Sequence, residues 1–347
     1  MTTAGFPRSA ITGISTEMIL RNLVLIVGPV LLIAGSYCLT FGRSRVAEAA
    51  TPPTVQPAFD LARLRDGASA GLAVDGSSTG DANDINLLCD ERARVLSEHL
   101  TADDRLIVRV PFILAGDLSE AELDRCWREV IAPTQRALSL AYFDSEPSEP
   151  ITLLLYASET AYRTAARRLD DRETTDYYGY YIRSDRRIVA NIGTGEGTLA
   201  HELTHALSHF DFPHMAEWFD EGLASIYEEA EFSEDRLHLT GVSNWRLNHL
   251  LNAMQNRHLQ TLEALVTARD IRPDRQAVDY AHARYFCLYL QDRGLLPSVY
   301  RKLRANSASD PSGLRTLCQV FNTDTLDPVD RDFREWIIEL YEQTQAR

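Results

Sequence analysis

Lysine is almost absent from this chain: Lys302 is the only one in 347 residues, and the other basic side chains are arginine. With 35 basic against 50 acidic residues the net charge is −15 at pH 7, so the chain lacks the basic footprint that phosphate backbones require. Nucleic acid is therefore not an expected partner. Cysteine is also scarce, five residues with no C-x-x-C pair, which removes thiol redox chemistry and a cysteine-based zinc knuckle. Internal repeats are lacking, and apolar runs long enough to span a bilayer are lacking after residue 41. What remains, 45% hydrophobic and 24% charged residues, is the composition of one or two ordinary folded domains.

The single long apolar run, Leu23 to Leu39 extended by Thr40 and Phe41, is flanked by Arg21, Arg43 and Arg45. At ~1.5 Å per residue about 18 residues just cross a hydrocarbon core. We expect an N-terminal segment over 1–22 and a transmembrane helix or signal-anchor over 23–41. Ala47-Glu48-Ala49 keeps a cleaved secretory signal open, and a buried helix is the third alternative. Arg8 and Arg21 balance Arg43 and Arg45, so charge does not set the orientation. Both leading readings export the rest of the chain, to the periplasmic or extracytoplasmic face of a membrane or, after cleavage, into the medium. Sequence order then favours disulfides Cys89–Cys126 and Cys287–Cys318, with four free buried thiols as the alternative.

Residues 42–85 are rich in Pro, Gly, Ser, Ala and Asp and read as a flexible linker. From Asn86 onward the apolar pattern predicts a first helical segment, a strand over Leu106–Leu114, and a long helix from Leu118 to about Ala141 that Pro133 kinks or divides. Ser119 with Glu122 forms a capping-box pattern at its start. A strand at Ile151–Tyr156, a helix at Glu159–Leu169, and a hairpin of Tyr177–Ile182 with Arg187–Ile192 follow. The remainder reads as almost wholly helical, ending in an amphipathic stretch from Asp330 to about Gln343.

The chemistry sits in Gly197 to Glu228, which contains His201-Glu202-Leu203-Thr204-His205. Histidines at i and i+4 of a helix lie one turn apart on one face, so both rings reach one metal ion, and Glu202 reaches a water beside it. Ala200, Leu203, Ala206 and Leu207 supply the face that buries the helix, and Asp211-Phe212-Pro213 breaks it. A hydrolytic zinc site needs three protein ligands and one open position. Glu221, in Trp218-Phe219-Asp220-Glu221-Gly222-Leu223-Ala224, is the favoured third ligand. Asp211, six residues after His205, has metzincin-like spacing, but Ser208 stands where that pattern has glycine. His209 and His214 are further alternatives, read more simply as a helix-face residue and a loop residue. Asp220 reads either as the partner of a ligand histidine or, more simply, as a solvent-facing carboxylate.

On these residues the chain resembles the gluzincin branch of the peptidase-MA superfamily of zinc metallopeptidases. In that branch a helix after the H-E-x-x-H helix carries the glutamate ligand, and the W-x-x-E-G-x-A form is similar to its aminopeptidase-like members. The strong likeness covers Tyr178 to Glu228, and a looser one, to a little-characterised bacterial group, covers about residues 105–300. The resemblance implies one Zn²⁺ held by His201, His205 and Glu221, with Glu202 as general base. It also implies an α+β, zincin-like catalytic domain over 86–240, with a small mixed sheet packed on the H-E-x-x-H helix. A mainly helical part over 241–347 would complete the cleft. Ser225 departs from the pattern, which has an aspartate there to orient a histidine. A later helix, Asp279 to Gly294, carries Tyr280, His282 and Tyr285, of which Tyr280 is favoured as oxyanion donor, with aromatic packing as the plainer role. Arg187–Ile192 would be the edge strand that receives an extended peptide, or else a plain core strand.

The expected function is hydrolysis of a peptide or protein substrate, with the membrane engaged through the N-terminal helix. Substrate specificity, exopeptidase or endopeptidase mode and oligomeric state stay open. Two other classes stand beside it: a zinc-holding peptide-binding or scaffold protein without turnover, and a tethered helical interaction protein with an accidental H-E-x-x-H.

Overall fold

The computed structural model describes residues 81–346 apart from 175, 176 and 272. The apolar run 23–41, Cys38 and the greater part of the linker lie outside the described residues. Among the described residues no helix is long and apolar enough to cross a membrane.

The fold is α+β, with a small mixed sheet and a mainly helical C-terminal part. Helix α1 (Asp81–Ser97) leads into strands β1 (Arg105–Arg109), β2 (Phe112–Gly116), β3 (Ile151–Tyr156), β4 (Gly179–Ile182) and β5 (Arg187–Asn191), arranged in the order β1-β2-β3-β5-β4. The central strands β2, β3 and β5 run parallel, and β1 and β4 close the two edges antiparallel. Every residue of the three central strands is buried, which explains their near-continuous apolar runs, because helices cover both faces. Alternation assigns the faces. Phe112, Leu114, Leu153, Leu155, Ile188 and Ala190 point to the side that carries the H-E-x-x-H helix, α5 (Gly197–Asp211). Ile113, Ala115, Leu154 and Val189 point to the other side, with Cys89 of α1 and Tyr162 of α4 (Glu159–Asp170).

Several local expectations change. The strand expected over Leu106–Leu114 is two strands, β1 and β2, because the chain reverses at Val110-Pro111, where proline has no N–H to continue a ladder. The long helix is divided as its proline requires. Helix α2 (Glu120–Cys126) passes through a π turn at Trp127–Ile131 into α3 (Ala132–Ala141), with Pro133 just inside α3. The N–H of Ala132 bonds the carbonyl of Trp127, and this wider turn accommodates the proline ring. The capping box forms as read: Glu122 N–H donates to Ser119 Oγ at 3.3 Å and Ser119 N–H to Glu122 Oε2 at 2.9 Å.

The two expected disulfides are absent; Cys89, Cys126, Cys287 and Cys318 are all free. Cys89 lies in the core behind the sheet and Cys126 in the core in front of it, so the sheet separates them. Cys287 faces Gly222 instead of Cys318.

After α5 come α6 (Glu217–Ile226), a short hairpin of β6 (Ala230–Phe232) and β7 (Leu239–Gly241), then α7 (Leu247–Gln255), α8 (Leu262–Thr267), α9 (Gln276–Asp292), α10 (Leu296–Asn306), α11 (Leu314–Phe321) and α12 (Asp327–Gln345). The β6–β7 hairpin interrupts the almost wholly helical pattern expected here. One apolar cluster runs from Phe112 to Ile337, so sheet and C-terminal helices share a core. Trp218 anchors α6 in it, packing on Phe286 at 5.5 Å between ring centroids and donating its indole N–H to Ser312 O at 2.9 Å. Gly222 sets how closely α6 lies on α9: a Cβ there would stand 2.7 Å from Ala283 O and 2.7 Å from Cys287 Sγ. Gly222→Val should therefore lower stability by about 1–3 kcal/mol through overpacking, read as an earlier urea midpoint at unchanged slope.

Candidate metal centre

The loop from β5 to α5 is tied by Asn191, whose side chain accepts the N–H of Gly193 at 3.0 Å, and it turns at Gly195, where φ is +112°. Helix α5 then buries Leu199, Leu203, Ala206 and Leu207 against the sheet and turns His201, His205 and His209 toward a cleft. The chain reverses between Asp211 and Glu217, and α6 brings Asp220 and Glu221 back beside those rings.

Three atoms converge. His201 Nε2 and His205 Nε2 are 3.1 Å apart, and Glu221 Oε2 stands 3.5 Å from the first and 3.7 Å from the second. A tetrahedral ion with bonds of ~2.0–2.1 Å holds its ligand atoms about 3.3–3.4 Å apart, so the triangle is of the size that a zinc ion takes. Glu221 Oε2 is buried and has no hydrogen-bond partner, which suits an atom that serves as a ligand.

Both rings are backed by carboxylates. His205 Nδ1 lies 2.7 Å from Asp220 Oδ1, which leaves the Nε2 lone pair of His205 for a metal. Asp220 is thus turned inward to His205, not outward to solvent. His201 Nδ1 lies 3.2 Å from Glu228 Oε1, an ion-pair distance without a hydrogen bond, and Glu228 is gripped by Arg246 through Nε and Nη2, each at 2.8 Å. Ser225 faces neither histidine: its hydroxyl is buried and makes no hydrogen bond. Sequence reasoning missed Glu228, which lies just past the end of α6, where helical spacing from Glu221 gives no guide to its direction.

The charges hold one another. Burial alone would lower the pKa of His201, but Glu221 and Glu228 outweigh it and raise it to about 9. Burial opposes ionisation of Glu221, yet the two imidazoles bring its pKa down to about 2. Glu202 lies in the same cleft, where desolvation pushes its carboxyl up while His201 and His205 pull it down.

The cleft has a volume of about 1370 Å³ and runs between β4, with Tyr178 and Tyr181, and a wall carrying Trp245, Arg246 and Tyr280. Its exposed edge strand is β4, not Arg187–Ile192: β5 is interior, hydrogen-bonded to β3 and β4. Gly179 lets β4 lie close over α5, since a Cβ there would meet Thr198 Cγ2 at 2.5 Å.

The remaining candidates separate by environment. Tyr280 lines the cleft, its hydroxyl pKa raised by burial and by the neighbouring Glu221. Tyr285 is buried, its hydroxyl accepting from Asn244 N–H at 3.0 Å, so it braces a loop. Asp211 accepts from Asp144 N–H and Ser145 N–H at 2.9 Å each and from Tyr300 at 3.0 Å, and it pairs with Arg304, so it ties the end of α5 to its neighbours. His214 is exposed on the loop, and His209 bonds Asp220 through Nε2 at 2.8 Å. No family model matches the sequence, and no curated protein matches it.

His282 is fully buried in α9, stacked on Phe333 at 5.6 Å, with neither ring nitrogen hydrogen-bonded. Burial, helped by Arg334 and Arg275, pushes its pKa down to about 3. The folded pKa lies below the unfolded value, so the neutral ring supports the fold above about pH 6.5 and that support is lost as pH falls toward the folded value. Relative to His282→Phe, the native chain should lose roughly 1.4 kcal/mol per pH unit across this window, measured by urea unfolding at a series of pH values.

Proposed function

We infer that the protein is a zinc-dependent peptide-bond hydrolase. The observation that carries this reading is the convergence of His201 Nε2, His205 Nε2 and Glu221 Oε2 within 3.1–3.7 Å of one another in a cleft that Glu202 also lines. The resemblance of the H-E-x-x-H and W-x-x-E-G-x-A segments to gluzincin metallopeptidases supports it from the sequence side.

His201, His205 and Glu221 would hold the ion, and Asp220 and Glu228 orient the two rings. A zinc ion so held supplies an acidified water and polarises the substrate carbonyl. Glu202 accepts the proton of the attacking water and returns it to the leaving amine. Tyr280 donates its hydroxyl hydrogen bond to the developing oxyanion; a hydroxyl whose pKa is raised stays protonated and so remains a donor. An extended polypeptide lies along the free edge of β4, paired through main-chain hydrogen bonds.

The test is zinc content of the purified chain together with turnover of a peptide library. The native chain should hold one zinc ion and cleave peptides. Glu202→Gln should keep zinc and lose about 10²–10⁴-fold in rate, as removal of a general base does. Glu221→Ala should lose zinc and activity together. A well-folded, zinc-supplied native chain that takes up no metal would refute the reading, and zinc without cleavage of any peptide would leave a binding protein.

A further inference from the structure

His209 continues the one-turn series of His201 and His205 along α5 but does not reach the converging ligand atoms. Its Nε2 lies 2.8 Å from Asp220 Oδ2, while the other oxygen of the same carboxylate lies 2.7 Å from His205 Nδ1. Each oxygen of Asp220 is thus committed to one imidazole, and both rings are 7% exposed. The 2.7 and 2.8 Å separations are hydrogen-bond lengths, shorter than the ~3.3 Å between two ligands of a tetrahedral ion, so the His205–Asp220–His209 group is a bonded chain and not a second metal site.

A carboxylate held at one oxygen still turns about its Cβ–Cγ bond; one held at both does not. Turning Asp220 would release His205 Nδ1, and with it the ring orientation and the tautomer that direct the Nε2 lone pair toward His201 and Glu221. On the opposite side of the centre Glu228, 3.2 Å from His201 Nδ1 without a hydrogen bond to it, is likewise gripped at both oxygens, by Arg246. We propose that His209 is a positioning residue of the metal centre: by holding the far oxygen of Asp220 it fixes His205 as a ligand. This rests on the zinc-site reading above.

The experiment uses the full chain and reads zinc affinity by chelator competition, zinc stoichiometry, and the visible spectrum of the cobalt-substituted protein. Asp220→Asn should weaken zinc binding about 10–100-fold, as loss of a ligand's supporting partner does. His209→Leu should weaken it roughly three- to tenfold and shift the cobalt spectrum, with one zinc per chain retained. His209→Gln, whose amide N–H reaches Asp220 Oδ2, should restore affinity to within about twofold. His209→Asn keeps a polar group but falls short of that oxygen; it should show the same loss as His209→Leu and decides the matter if the leucine variant does not fold. The double variant Asp220→Asn/His209→Leu should bind no more weakly than Asp220→Asn alone, because His209 acts through Asp220.

Native affinity and spectrum in both His209→Leu and His209→Asn would overturn the proposal, as would a loss in His209→Gln equal to that in His209→Leu, or losses that simply add in the double variant. Two zinc ions in the native chain, one of them lost in His209→Leu, would overturn it by making His209 a ligand. If the native chain binds no zinc, the hydrolase reading and this proposal fall together; if it binds zinc and the His209 variants bind equally well, only this proposal falls.

Discussion

The centre depends on how closely α6 packs against α9. At Gly222 a methyl group would collide with backbone, Ala283 O at 2.7 Å, which cannot move aside as a flexible side chain can. The residue before it is Glu221. Successive residues on a helix are turned by about 100°, so one faces the packing partner while the next presents its carboxylate to α5. Lifting α6 off α9 by the width of a methyl group would carry Glu221 Oε2 far outside the ±0.2 Å within which metal–ligand bonds are made. Gly197 imposes a similar closeness at the start of α5, where a Cβ would stand 2.2 Å from Glu228 O. Two glycines therefore set the two ligand helices in register, each by allowing a backbone to approach where a side chain would hold it off.

Closeness alone would not hold three carboxylates in so desolvated a place. Asp220, Glu221 and Glu228 are each mostly buried, and burial favours their neutral forms. The imidazoles of His201 and His205 and the Arg246 guanidinium reverse that preference and keep all three below the usual carboxylate range. The dependence is mutual, because the same carboxylates hold both histidines above their ordinary values. Removing any one member leaves a buried partner uncompensated, and this costs more than the bond itself contributed. The network thus specifies one arrangement of α5 and α6 more than it stabilises the fold.

A strand-containing first half, a helical second half and the pairing of His201 with His205 were legible because they depend on local periodicity; the fold class and the choice of Glu221 were legible chiefly through the resemblance to gluzincins. A four-residue spacing puts two rings on one helix face whatever surrounds the helix, and short apolar runs such as Ile151–Tyr156 make buried strands. Features set by distant parts of the chain were not legible. Whether Arg187–Ile192 lies at the edge of the sheet depends on which way the hairpin with Gly179–Ile182 folds, and the apolar run Ile188-Val189-Ala190 was the one local sign of an interior strand. The disulfide expectation failed because sequence neighbours were taken as spatial neighbours, whereas the sheet stands between Cys89 and Cys126. Asp220 was underestimated because a carboxylate beside a ligand reads as solvated until the ring opposite it is known. Asp211 carries the same lesson in reverse: its spacing suits a ligand, but two backbone N–H groups, Tyr300 and Arg304 already occupy it.

A sequence that agrees with its fold at every level leaves few buried polar atoms without partners, and departures collect where function sets other demands. Orphaned atoms that concern core packing, such as both nitrogens of His282, sit among apolar neighbours, and the ring answers by staying neutral. Glu221 Oε2 cannot answer in that way. It is orphaned beside two imidazoles that hold it ionised, at a distance too long for good hydrogen bonds and close to that between ligands of one small cation. The two Nε2 atoms already stand 3.1 Å apart, so it is Glu221 Oε2 that is held off, at 3.5 and 3.7 Å, whereas Asp220 closes onto its own two histidines at 2.7 and 2.8 Å. That one carboxylate of the Asp220-Glu221 pair closes onto its histidines while the next stands off from its own is what the proposed zinc site asks of a bracing residue and of a ligand.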